Sequence, residues 1–364
     1  MLNHLLSSQN PIGINISDSS IKLAQIGSHG SLRILKKIRL PEGCVVNGDI
    51  INEEQAADAL RDLIKEASKF KNITTKEAVC SLPEKITYLK TINVNKASGK
   101  IDDFIYTEIS KYFPEEIDKL YIDWQIIREN KDDLTEIEVM VGAGRRDKIE
   151  KNIRIVENAG LLPILMEIES LATARALINE KKLKQSFVKG KIEIPKENFT
   201  IGILDIGFKT SNFSIFDKSV RFSINMPFSD ERIISLISEA LKIKNSQAKK
   251  AKVQIGLDAK KAKGVIKKIL SPLIEEIAKI IKKIEEYHLN YNNGNKFDKI
   301  FICGGGASLL ALDKAIEEST KIETTVGDAT INLKMPPSES LKKETVQFEA
   351  SIGSALIGYW LKKK

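Results

Sequence analysis

The chain has 364 residues, 57 of them Lys or Arg and 49 Asp or Glu, for a formal charge of +8. At about 100–200 residues per domain, this length allows two or three domains with cores of their own. Apolar residues at 42% and charged residues at 29%, with 21 Gly and 10 Pro, exclude disordered, collagenous and low-complexity classes.

Cys44, Cys80 and Cys303 are scattered, with no Cys-x-x-Cys pair, and the only histidines are His4, His29 and His288. A structural zinc centre needs about four clustered N or S ligands, so the spacing argues against a Cys/His metal site and leaves carboxylate sites for Mg²⁺ open. Scattered thiols and a start, MLNHLLSSQNP, without a basic n-region suggest a reducing cytosol. The most apolar stretch, 350–361, falls short of the ~18–20 residues that cross a bilayer. The expectation is a soluble protein that can still be recruited to a membrane.

Residues 12–16 and 21–26 are β-branched runs flanking Ser17-Asp18-Ser19-Ser20, which predicts strand, polar turn and returning strand. A third strand at 32–40 ends at Pro41-Glu42-Gly43. The spacing of Ala56, Leu60, Leu63, Ile64 and Ala67 predicts an amphipathic helix over 53–70, and 79–82 reads as a short buried strand. Residues 84–160 then alternate as a strand (86–94), a helix (101–113) stopped by Pro114, strands at 121–127 and 136–141 around a turn at 130–133, and a helix (147–159) closed by Gly160. That order is an α+β module. A strand at 164–168, a helix at 170–179 and a Lys-rich connection at 180–197 follow.

The second half opens with IGILDIGFKTSNFSIF (201–216), again strand, glycine-containing turn, strand. Helices are expected at 229–242, 246–255 and 264–291, the last tolerating Pro272 only as a kink or break. A strand at 299–303 runs into Gly304-Gly305-Gly306 and a helix from Ser308, and a last helix covers 348–361. A shift of 190 positions lays Gly13–Ser20 over Ile203–Thr210, so each half starts with a strand ending in Asn/Asp-Ile-Ser/Gly. This placement suggests duplication.

Three segments carry groups suited to chemistry. In Asp205-Ile206-Gly207-Phe208-Lys209-Thr210, a carboxylate leaving a buried strand can hold a hydrated Mg²⁺, with backbone N–H groups and the Thr hydroxyl free for an anion. Taken alone, a plain hairpin with Gly207 at positive φ is the simpler account. In FICGGGASLL (301–310), a strand feeds three glycines and a helix, which would point unpaired N–H groups at one space; a plain tight strand-to-helix corner is the equal alternative. It is neither a P-loop nor a GxGxxG fingerprint, because no Gly-Lys-Ser/Thr follows and Leu309 takes the third glycine position. In Glu167-Ile168-Glu169-Ser170, Glu169 could orient a water or sense a phosphate and Ser170 could cap the helix; a solvated first-turn carboxylate is the alternative.

The order of these segments resembles the actin-like ATPase fold (actin, sugar kinases, FtsA): a duplicated, ribonuclease H-like α/β fold of two lobes with an inserted α+β subdomain. Within it, the chain is similar to the PilM family of type IV pilus assembly proteins. The resemblance rests on IGINISDSSIKLAQI, EISKYFPEEIDKLYIDWQII, ENAGLLPILMEIESLATARAL, LDIGFKTSNFSIF, ICGGGASLLAL and FEASIGSALIGYW. It implies lobe 1 (1A) at 11–83 and 161–197, an inserted 1C subdomain at 84–160, and lobe 2 at 198–364 with 2B at about 229–296. It also implies ATP and Mg in the interlobe cleft, held by Asn15, Ser17, Ser19, Ser20, Lys22, Asp205, Gly207, Thr210, Lys252, Gly304, Gly305 and Gly306. Asp205 would face Mg, directly or through water, and Glu169 and Asp205 would be catalytic in what is at most a slow ATPase.

Two departures bear on that chemistry. The usual Asp-Ile-Gly of the first phosphate loop is Asn15-Ile16-Ser17 here, and Lys249 stands where an Ala-Glu-x-x-Lys helix would offer a carboxylate to ribose. The resemblance further implies a cytoplasmic scaffold at the inner face of the membrane, binding the N-terminal tail of a PilN-like membrane protein alongside other pilus assembly components. A nucleotide-free adaptor of a competence or type II secretion machine, and a small-molecule kinase of the same superfamily, remain the alternatives.

Two charged or apolar surfaces complete the reading. Ten lysines against one acidic residue, Asp258, occupy 242–268. A solvated helix face is the default, with attraction to anionic lipid worth about 1 kcal/mol per Lys as the functional alternative. No Arg or aromatic residue is interleaved, which argues against specific nucleic-acid recognition. The stripe Ile101, Ile105, Ile109, Tyr112 and Phe113 either packs on the module's own sheet or lines a groove for a partner peptide.

Overall fold

The computed structural model describes residues 9–113, 116–129, 135–179, 199–291 and 295–362. The connection at 180–197, the turn at 130–133, Pro114 and the chain ends lie outside the described residues.

The first half starts with β1 (Ile12–Ser17), β2 (Ser20–Ile26) and β3 (Leu32–Arg39), paired antiparallel in sequence. A small hairpin that no local signal announced, β4 (Val45–Val46) and β5 (Asp49–Ile50), follows. Asp18 in the β1–β2 turn fixes it, its carboxylate accepting the N–H groups of Asn47 at 2.9 Å and Gly48 at 2.8 Å. Helix α1 (Glu53–Phe70) starts where the Asn52 side chain accepts the N–H of Gln55, and it buries Ala56, Leu60, Leu63 and Ala67 along one stripe. Strand β6 (Glu77–Leu82) returns parallel to β1.

The inserted module contains β7 (Thr87–Asn95), α2 (Ile101–Ile109), β8 (Leu120–Glu129) and β9 (Glu136–Arg145). Helix α2 ends a turn earlier than the expected 113. Its Ile105 and Ile109 are buried against Val94, Leu120, Val139 and Val141, so the stripe packs on the module's own sheet and only Tyr112 turns outward. Helix α3 (Arg146–Asn158) ends at Gly160, whose φ of +84° supplies the left-handed cap. The expected module at 84–160 includes this helix, but Ile155 and Val156 sit in the same core as Leu60 and Leu63 of α1, so α3 packs on the first half. Strand β10 (Leu162–Ile168) adds parallel to β6, giving a five-stranded sheet in the order β10-β6-β1-β2-β3, and α4 (Glu169–Leu177) follows.

The second half repeats the plan with β11 (Ile201–Ile206) and β12 (Ser211–Asp217), then adds β13 (Ser219–Met226), which the sequence did not announce. Helices α5 (Asp230–Leu241), α6 (Asn245–Gln254) and α7 (Val265–Tyr291) come next. Helix α7 runs through Pro272 without a break. A mid-helix proline costs about 3 kcal/mol, and the burial of Ile266, Leu270, Ile274, Ile277 and Ile281 outweighs that at about 1.5–3 kcal/mol per side chain. Strand β14 (Lys299–Cys303) lies parallel to β11. The remaining elements are α8 (Leu312–Thr320), β15 (Thr324–Val326), α9 (Glu339–Thr345) and α10 (Glu349–Leu361).

Duplication is visible in the register. Ile14 lies opposite Leu23 in the first hairpin and Leu204 opposite Phe213 in the second, the same pairs 190 residues apart. The second sheet runs β15-β14-β11-β12-β13 and continues into β7-β9-β8 through the single pair Phe222–Lys90. The module's sheet therefore joins the second half. Helix α10, which the expected lobe 2 at 198–364 includes, packs against β1, β2, β6 and α4 of the first half. Its Gly353 lets it press on α4, since a Cβ there would meet the carbonyl oxygen of Ala172 at 1.8 Å.

Candidate functional site

The two duplicated turns face each other across a cleft of about 870 Å³. Ser17, Ser19, Ser20 and Lys22 line it from the first half, and Asp205, Gly207, Thr210, Lys252 and Gly305 from the second, with Glu169 on its floor. Asp205 and the glycine corner thus share one cavity.

Each glycine has its own reason. Gly207 is not at positive φ, contrary to the hairpin expectation; a Cβ there would meet the Thr210 carbonyl oxygen at 2.5 Å, so the turn is simply too tight for one. Gly304 (φ +78°) and Gly306 are packing positions, where a Cβ would meet Asp205 Oδ1 at 2.3 Å and the Ile206 side chain at 2.1 Å. Neither lines the cleft. Gly305 does, and a Cβ there would meet nothing within 4 Å, which leaves an open face for a ligand. The expected helix from Ser308 is instead a 3₁₀ turn (Gly305–Ser308), and α8 begins only at Leu312, so that helix does not start at the glycines.

Asn15 also lies beneath the cleft. Fully buried, its Nδ2 donates to Glu169 Oε1 at 2.7 Å and to Ser81 Oγ at 3.0 Å, which positions the Glu169 carboxyl. Ser17 Oγ is turned into its own loop, donating to the Ser20 carbonyl oxygen at 3.0 Å. Lys252 is buried and its Nζ donates to Asp230 Oδ1 at 2.5 Å, an ion pair on the cleft wall. Lys249 stacks its ammonium 5.2 Å from the Phe208 ring centroid, at the cleft rim.

Ser170 does not cap α4, contrary to expectation; its N–H is instead taken by Glu84 Oε1 at 2.7 Å. The second oxygen of Glu84 accepts Asn212 Nδ2 of β12 at 3.0 Å, so this one carboxyl ties the two halves together. Burial pushes Glu84 up to about 7. Burial, and then the Glu84 and Asp205 charges, hold Glu169 well above the usual carboxylate range; burial raises Asp205 as well. Glu349, the first residue of α10, is pushed to about 8 by burial and by Asp205. Lys22 supplies the opposing positive charge. Three carboxyls, Glu169, Asp205 and Glu349, feel this one lysine, so the region at and beneath the cleft floor favours a bound cation or retained protons.

Glu84, Asp230, Asn212 and Glu349 had no legible sequence signal: one follows a proline in a loop, and the others sit inside ordinary strand or first-turn positions. Among the described residues, no helix is long and apolar enough to cross a membrane.

A structure described as a PilM-PilN type IV pilus biogenesis complex is similar at 18% identity and a TM-score of 0.78, over 96% of this chain and 98% of that one. The ethanolamine utilization protein EutJ of Carboxydothermus hydrogenoformans matches at 14% identity and a TM-score of 0.56, over 98% and 93%. MreB 5 of Spiroplasma citri bound to AMPPNP matches at 12% identity and a TM-score of 0.55, over 98% of each chain. These likenesses establish an actin-like fold. The family model described as type IV pilus assembly protein PilM matches residues 13–359, and the chain therefore belongs to the PilM family.

Proposed function

We propose that this chain is a type IV pilus assembly scaffold that binds ATP with Mg²⁺ in the interlobe cleft and takes the cytoplasmic N-terminal tail of a PilN-like membrane protein on its inserted module. One observation carries the nucleotide reading: the paired turns, Asp205 and the open face of Gly305 converge on a single cavity of about 870 Å³. The residues fit the ligand. Asp205, with Glu169 beside it, would hold Mg²⁺ directly or through water. Ser19, Ser20 and Thr210 offer hydroxyls, and Lys22 and Lys209 offer positive charge to phosphates. Bound Mg²⁺ would neutralise phosphate charge and polarise the γ-phosphoryl group. Glu169, held by Asn15 and with its proton affinity raised by burial, would orient a water.

The tail reading is supported by the relative's description as a PilM-PilN complex and by the module's surface, where Tyr112, Tyr121 and Trp124 are exposed. Such aromatics anchor a bound segment. Membrane recruitment would then come through the partner, with the exposed lysines of 242–268 adding nonspecific attraction to anionic lipid. In domain terms, α10 and α3 would move with lobe 1, and the module's sheet with lobe 2.

Isothermal titration of Mg-ATP and of a synthetic tail peptide into the full chain tests both halves of the proposal. Saturable nucleotide binding that Asp205→Ala removes is the expected result. Absence of any adenine-nucleotide binding would overturn it in favour of a nucleotide-free adaptor, the reading that the Asn15–Glu169 bond and the Lys249–Phe208 contact favour.

A further inference from the structure

Asp205, Cys303 and Glu349 each present a ligand atom, and the three atoms lie within 4.8 Å of one another. They come from three elements: Asp205 and Cys303 are register partners on β11 and β14, and Glu349 opens α10. Asp205 reaches the cleft, but Cys303 and Glu349 do not line it, so the cluster lies beneath the floor and away from a nucleotide in the cleft. Glu349 is 1% exposed, and one oxygen of its buried carboxyl, Oε2, has no hydrogen-bond partner. Cys303 is a free thiol at 0% exposure. Lys22 is near enough to influence all three groups, yet it makes no direct hydrogen bond to any of them.

We propose that Asp205, Cys303 and Glu349 form a buried site for a thiophilic divalent cation, Zn²⁺ first, that pins α10 to the second sheet. Two carboxylate oxygens and one thiolate are an unsuitable set for Mg²⁺, which takes oxygen ligands in octahedral geometry. They suit Zn²⁺, which accepts S and O ligands with a water in a fourth tetrahedral position. On binding, the thiol proton of Cys303 and the proton that burial keeps on Glu349 both leave to solvent, and the two groups coordinate as thiolate and carboxylate. The cation would also relieve the repulsion between Asp205 and Glu349. Cysteine spacing argues against a Cys/His zinc centre; the fold assembles a different ligand set, one thiol with two carboxylates from distant segments.

The test uses the full chain, stripped with chelator and kept free of nucleotide, so its outcome is separate from that of the nucleotide proposal. Zinc is titrated calorimetrically, and bound metal is counted by elemental analysis. One zinc per chain is expected, undiminished by excess Mg²⁺ and lost in both Cys303→Ser and Glu349→Gln. Cadmium added to the unsubstituted chain should give the ultraviolet thiolate–metal charge-transfer band, a reading that does not depend on the variants folding. No stoichiometric zinc, zinc retained by both folded variants, or cadmium bound without the thiolate band would each overturn the proposal.

Discussion

Replacing Glu84 by Gln tests whether the junction between the halves carries a proton. The carboxyl accepts hydrogen bonds from Ser170 N and Asn212 Nδ2, yet burial moves it from 4.5 to about 7. A carboxyl raised in the folded state contributes stability that is complete below its unfolded value and lost as pH rises through the folded one. For Glu84 the loss runs from 4.5 to about 7. At about 1.4 kcal/mol per tenfold change in proton affinity, the cost of ionising it in place is about 3 kcal/mol. Gln is neutral throughout. Its Oε1 can keep the Ser170 N–H, and its Nε2 can donate to Asn212 Oδ1, an atom with no partner in the wild-type chain, once that amide flips. Urea unfolding of both proteins, without nucleotide, would be compared at about pH 4 and about pH 8. The variant should match wild type at the lower pH and exceed it by up to ~3 kcal/mol at the higher. An unchanged difference between the two pH values, or a variant less stable at the higher one, would refute the reasoning.

Three other outcomes follow from contacts already described. Gly353→Ala should destabilise the chain by about 1–3 kcal/mol or prevent soluble expression, because the clash is with α4 backbone; a denaturation midpoint equal to wild type would contradict the close approach. Arg221 is buried and holds Glu138 through bonds of 2.7 and 2.9 Å between β13 and β9, so Arg221→Ala should cost about 3–5 kcal/mol in urea unfolding. Burial alone would raise Glu138, but the Arg221 bonds hold it below the usual carboxylate range, so this tie is present above about pH 4 and lost on acidification; a wild-type acid transition in the Arg221→Ala chain would count against it. Gly305→Ala should leave thermal stability within about 0.5 kcal/mol of wild type while weakening nucleotide binding, whereas Gly304→Ala, at positive φ and against Asp205, should lower stability; equal behaviour of the two in a melting assay would contradict the assigned roles.

Much of the fold was legible because its signals are local. Short apolar runs rich in isoleucine marked β1, β2, β11 and β14, the 3.6-residue spacing marked α1 and α7, and Gly160 marked the end of α3. The short strands β4, β5 and β15 were not, since two or three residues carry no periodicity. Nor was β13, although its pairing with β7 joins the module to the second half. In the site, Asp205 and the two turns stood out through their repetition 190 residues apart.

The amino-acid sequence alone determined that there are two related halves, where the two repeated turns lie, and that a glycine corner follows a buried strand. Only the tertiary structure decided that Gly305 faces the cleft while Gly304 and Gly306 serve packing, that α3 and α10 cover the first half, and that Glu84 and Glu349 join Asp205 and Glu169. Periodicity reports which face of one element is apolar. It carries no information on which distant element covers that face, and proton affinity and metal preference depend on the charges and burial which that long-range packing assembles.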